Sequence, residues 1–262
     1  MRQFYAGLDA RWRTLIAIAC VLVAPFFTGR IVPWERIPID GYWIGIMAHI
    51  YNVVISMVLI KIFCPEFKVS RKLKSKSAAM FAVALVFVVV KLPSLVYTAS
   101  FHPRLFDYAA GFLFTFFIGL DEEIEARHLH FGILQRHGFY FGVFSSSFIF
   151  GLAHISNYFY GHQAWQDTLE QMVSAAGFGV LCCGLYLITG RLIVPIIFHG
   201  LHDMTLAVNE NVAPEVSAFN GSHWGDTLAF TTIYLSIGLA LIYLSQKNTQ
   251  RSVIVKPVAV LT

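Results

Sequence analysis

Long apolar runs separated by short polar stretches set the rhythm of this chain, and the pattern recurs eight times, at roughly 14–29, 42–62, 78–98, 108–136, 139–157, 169–189, 192–208 and 227–245. A helix needs about 20 residues to cross the hydrocarbon of a bilayer. The first and seventh runs are short and lean on interfacial flanks. The fourth would be about 43 Å long at 1.5 Å per residue, and only its first half is purely apolar. It reads either as one helix emerging into water or as two pieces broken near Gly119.

Composition agrees with the pattern. The chain is 57% hydrophobic and only 13% charged, against about 25% charged in an ordinary soluble domain. The fold class predicted is an all-α, polytopic transmembrane helix bundle of about eight spans, a single integral-membrane domain over 1–262. The net charge of +4 does not point to nucleic acid, because the basic residues lie between the apolar runs. The partner they imply is the lipid bilayer. One side of the membrane receives 15 of the 19 Lys and Arg, and the other receives Arg30, Arg36 and Arg104, with Lys91 inside the third run. The positive-inside rule then places both termini and the basic 61–76 loop in the cytoplasm. Trp34, Trp43, Trp165 and Trp224 fall at the opposite boundary, as an aromatic belt does.

Arg2, Arg11 and Arg13 before the apolar stretch from Leu15 to Phe27 resemble a signal sequence. No cleavage pattern follows, so the segment reads as a retained first helix. The localisation expected is a multi-pass integral membrane protein, in the inner membrane if the source is prokaryotic. Cys20, Cys182 and Cys183 lie within apolar runs and make no disulfide framework; Cys64 is a weak acylation candidate.

Three runs carry ionisable groups where lipid tolerates them least: Glu122-Glu123 with Arg127, Phe150 with His154, and His199 with Asp203. A charge at the bilayer centre costs about 2.5–3.5 kcal/mol even on lenient scales. Positions i and i+4 share a helix face, so Glu123 can pair with Arg127 and His199 with Asp203. Glu122 points about 100° away from Glu123 and is free of that pair. Glu122 lies 16 residues before Gly138 and His154 lies 16 after it. In an antiparallel hairpin turning at His137-Gly138, equal distances mean equal depth. The two can then share the proton work on a water, with Glu122 as general base and His199 as a donor to developing oxyanion charge.

The bland readings stand beside this one. A single intramembrane His is often helix glue, and Glu123 with Arg127 could be an interfacial charge pair. His128, His130 and His137 would coat a wet helix face, His202 would point away from the His199–Asp203 line, and Ser145, Ser146 and Ser147 would be packing residues. A zinc site from Glu122, His154, His199 and Asp203 has suitable ligand types, although His-Glu-x-x-His is absent. A non-enzymatic scaffold or a transporter with a proton relay is the remaining class.

In this order the motifs resemble the CPBP family (CAAX protease and bacteriocin-processing, also called ABI). Its pattern is Glu-Glu-x-x-x-Arg, then Phe-x-x-x-His, then His-x-x-x-Asn or Asp, on successive transmembrane helices. The likeness covers residues 108–208, the stretch expected to be the catalytic core. It implies a metal-independent intramembrane glutamate-type endopeptidase with no cofactor, acting on a membrane-associated protein or peptide. Glu122 would be the catalytic glutamate with His154 beside it, His199 and Asp203 would line the oxyanion site, and Glu123 and Arg127 would be the supporting pair. Position 203 holds Asp where an amide donor would serve an oxyanion directly, since an ionised carboxylate only accepts hydrogen bonds. Asp203 is therefore expected either to stay protonated or to orient His199. Arg127 is followed by His128 where many members have glycine.

Overall fold

The computed structural model describes residues 41–63, 76–101, 103–160, 163–212 and 224–248, with positions 9, 12, 15, 16 and 19. The remainder of the first predicted span, residues 64–75 of the basic loop, Cys20, Cys64, Trp34 and both termini lie outside the described residues. Helices account for the secondary structure among the described residues. They are α1 (Gly41–Phe63), α2 (Lys76–Val86 and Leu92–Ala99 about the π segment Phe87–Lys91), and α3 (Leu105–Glu123, continuing through the π segment Ile124–His130 to His137). They continue as α4 (Phe139–Ala153), α5 (Trp165–Thr189), α6 (Ile193–Val212) and α7 (Trp224–Asn248).

Local chemistry sets the ends. At the start of α3, Arg104 N donates to Asp107 Oδ2 at 2.8 Å and its guanidinium donates to the same carboxylate, tying down the first turn. Gly190 closes α5 at φ 66°, a left-handed position glycine adopts without strain. Gly138, at φ 141°, makes the turn between α3 and α4. In α2, Pro93 lacks the N–H that residue 89 would bond, and the ladder opens into the π segment immediately before it.

Contacts give the helix directions. Tyr42 donates to the Ala110 carbonyl and Asn52 to Asp121, so α1 runs parallel to α3. Gly111 lies against Val208 and Gly119 against Ile196, so α6 runs antiparallel to α3. Gly151 packs on Ala176 and Gly179 on Ser147, setting α4 antiparallel to α5. Gly177 meets Thr231 and Gly184 meets Gly238, so α5 and α7 are parallel. With α3 and α4 joined as a hairpin, α1, α3, α5 and α7 all run one way. Trp43, Trp165 and Trp224, each within the first turn of its helix, therefore share one end of the bundle. Lys61, Arg136, Arg191 and Lys247 share the other.

Among the described residues, five helices are long and apolar enough to cross a membrane: Tyr42–Phe63, Lys76–Ala99, Phe139–Phe159, Trp165–Thr189 and Trp224–Lys247. Helices α3 and α6, predicted as the fourth and seventh spans, are not among them; they carry the polar residues of the first and third motifs. Helix α5 is the hub, buried almost continuously from Ala175 to Ile188. Its paired thiols, Cys182 and Cys183, are buried without a disulfide.

Helix α3 does not break near Gly119. It runs unbroken there because Gly119 is a contact surface: a Cβ at this position would stand 2.9 Å from the Ile196 carbonyl oxygen and 3.2 Å from the His199 Cβ. Gly111, Thr115 and Gly119 form a small-residue stripe at four-residue spacing, and Thr115 Oγ1 donates to the Gly200 carbonyl at 2.7 Å. That close crossing is what brings His199 to the Glu122-Glu123 pair.

Candidate active site

Glu123 and Arg127 form an ion pair with both side chains fully buried, Arg127 Nε donating to Glu123 Oε2 at 2.8 Å and Nη2 to Oε1 at 3.3 Å. The guanidinium also stands 5.6 Å from the Phe150 ring centroid, within cation–π range. Glu123 has a second partner from another helix. His199 Nδ1 lies 3.1 Å from Glu123 Oε1, and because the Arg-paired carboxylate accepts, the imidazole donates. Arg127, Glu123 and His199 thus form one continuous hydrogen-bonded chain.

The other ring nitrogen of His199 faces two carboxylates. Nε2 is 3.3 Å from Asp203 Oδ2 and 3.6 Å from Glu122 Oε2. Both glutamates of the first motif therefore approach the same imidazole, one at each ring nitrogen. Glu122 Oε2 has no hydrogen-bond partner among the described residues, and its carboxylate is the more exposed of the two.

His154 caps α4, with Nδ1 3.0 Å from the Phe150 carbonyl. The carbonyl can only accept, so Nδ1 carries the proton and Nε2 keeps its lone pair. His154 is half-buried, and no hydrogen bond joins it to Glu122 among the described residues. Phe150 is the shared wall: its ring is 5.3 Å from His154 and 5.8 Å from His199, both edge-on. Phe178 of α5 closes the far side, 5.0 Å from His199. Phe178 sits near the middle of the 25-residue α5, which puts the site about 20 Å from either end of the bundle.

Several residues around this site escaped sequence reasoning. Asp121 accepts from Asn52 at 3.1 Å and pairs with His49 at 3.1 Å, so α1 reaches the back of the acidic motif. His202 stacks on Phe178 at 4.7 Å and bonds Lys91. His130 is buried near Glu125 and His128 is half-buried against the Tyr186 hydroxyl at 3.1 Å. The expectation of a wet face holds at the exposed His137 only, because the π segment Ile124–His130 lies inside the bundle, walled by neighbouring helices. Ser146 and Ser147 bond back to the Val143 carbonyl, and Ser147 packs on Gly179. Among the described residues, no group of three or more His, Cys, Asp or Glu is placed to hold a metal ion.

Residues 103–205 match the family described as "Type II CAAX prenyl endopeptidase Rce1-like". This segment is Rce1-like. The Rce1-like match spans α3 to the middle of α6 and includes all three motifs. The family is a CAAX endopeptidase family, which supports a peptidase, and the apolar helices support an integral membrane protein. No curated protein and no solved structure matches the chain.

Proposed function

We propose that this protein is an intramembrane glutamate-type endopeptidase that hydrolyses a peptide bond of a membrane-associated protein or peptide. The observation that carries the reading is the meeting of Glu122, His199 and Asp203 at mid-depth, with distances of 3.6 and 3.3 Å to one imidazole nitrogen. Glu122 is the general base, taking a proton from water through its unpartnered oxygen. His154, with its Nε2 lone pair turned free by the bond at Nδ1, shares that proton. His199, held at Nδ1 by Glu123, presents Nε2 for the developing oxyanion, and Asp203 orients it. The stretch 108–208 is the catalytic core of a single membrane domain.

The test is cleavage of membrane-associated substrates by purified protein in proteoliposomes. Glu122→Gln and His154→Ala should each lower kcat at least about 100-fold while the protein remains folded. Cleavage that survives both changes would sink the peptidase assignment to this site. Activity should also persist in strong chelators; loss on chelation and recovery with zinc would instead favour a metal site built from the same residues. Comparing the termini of membrane proteins in cells with wild-type and Glu122→Gln protein would give the substrate.

A further inference from the structure

The proposed mechanism leaves Lys91 unused, a basic residue buried among apolar neighbours. Lys91 lies in the middle of α2, a helix otherwise apolar enough to cross a membrane, and it is 2% exposed. Its ammonium bonds His202 Nδ1 and lies 4.9 Å from the centroid of Phe198 and 6.0 Å from that of Phe178. His202 is the neighbour of Asp203 in α6, and Lys91 and Asp203 interact electrostatically. The π segment Phe87–Lys91 ends on this lysine.

Counting charge around His199 shows what the lysine does there. Three carboxylates, Glu122, Glu123 and Asp203, face one guanidinium and one imidazole. With all three carboxylates ionised and the imidazole protonated, the group is one positive charge short. An uncompensated charge in a low-dielectric interior is among the costliest features a fold can contain. Within reach of this set, α2 supplies one ammonium, and α2 lies outside the segment that matches the family.

We propose that Lys91 is a counter-charge to Asp203: a positioning residue that, seated on His202 and the two phenylalanine rings, keeps Asp203 aimed at His199. Its own protons take no part in the chemistry. The effect on turnover rests on the peptidase reading above; the effect on stability does not.

The experiment is a double-mutant cycle between Lys91→Met and Asp203→Asn, read by thermal unfolding of the purified protein in detergent. With Asp203 present, Lys91→Met should lower Tm by about 5 °C or more. In the Asp203→Asn background, the same change should cost less than about 2 °C. An equal loss in both backgrounds would overturn the proposal, since Lys91 would then serve packing or His202 alone. If the single variant yields no folded protein, recovery of folded protein in the double variant supports the pairing, and continued failure overturns it. In the cleavage assay, Lys91→Met should lower kcat about tenfold when Asp203 is intact and leave it unchanged in the Asp203→Asn background. A Tm coupling without any cleavage by the wild type would keep the charge pair and discard the peptidase reading.

Discussion

Glu123 is the residue that joins the two halves of the site. Its carboxylate accepts from Arg127 within its own helix and from His199 across the helix boundary. Glu123→Gln leaves a guanidinium buried without an opposite charge, and breaking such a pair costs on the order of 3–5 kcal/mol. The expected result is a large fall in Tm in detergent, with cleavage lost because His199 is released. Replacing the pair together, as Glu123→Leu with Arg127→Met, should recover much of the Tm but none of the cleavage; recovered cleavage would show that Glu123 does not hold His199. The within-helix pairs, Glu123 with Arg127 and His199 with Asp203, were legible from four-residue spacing because that spacing fixes a common face. The bond from Glu123 to His199 was not, because the rotation of one helix against another leaves no trace in the spacing of either. Lys91 with His202, and Asp121 with His49 and Asn52, were hidden for the same reason.

At the scale of elements, the decisive contact is the crossing of α3 and α6 along Gly111, Thr115 and Gly119. A methyl at Gly119 would stand 2.9 Å from a backbone oxygen, and neither backbone can yield without moving His199 from Glu122. Gly119→Ala should therefore lower cleavage at least about tenfold while helix content by circular dichroism is unchanged. Gly225, where an added Cβ meets nothing within 4 Å, is the control, and Gly225→Ala should leave both readouts alone. Should both variants retain full activity, the close crossing is not what sets the site. The helices themselves were readable from apolar runs, and the Gly138 and Gly190 turns from glycine beside polar residues. The π segment Ile124–His130 was not, since it holds neither proline nor glycine; the buried places of His128 and His130 went unread with it.

Across the whole molecule, three tryptophans mark one end and basic residues mark the other, on helices whose directions follow from packing. That arrangement predicts opposite labelling of two introduced thiols. In a background without Cys64, Gln163→Cys should react with an impermeant reagent from the tryptophan-marked face, and Arg191→Cys from the opposite, basic face, which the positive-inside rule expects to be cytoplasmic. Labelling of both from one side would overturn the assigned orientation.

The Gly119 crossing also bears on how such a chain enters a bilayer. Helices α3 and α6 are each too polar for lipid to accept comfortably alone, and each holds the group that neutralises the other. Glu123 and Arg127 enter as a matched pair, and His199 has Asp203 beside it within α6, but His199 reaches Glu123 only when α6 closes against α3. Insertion and assembly are therefore one event for these two helices. Helix α6 begins about 70 residues after the acidic motif of α3. The step that completes the site is the same step that makes the polar helices acceptable to the membrane.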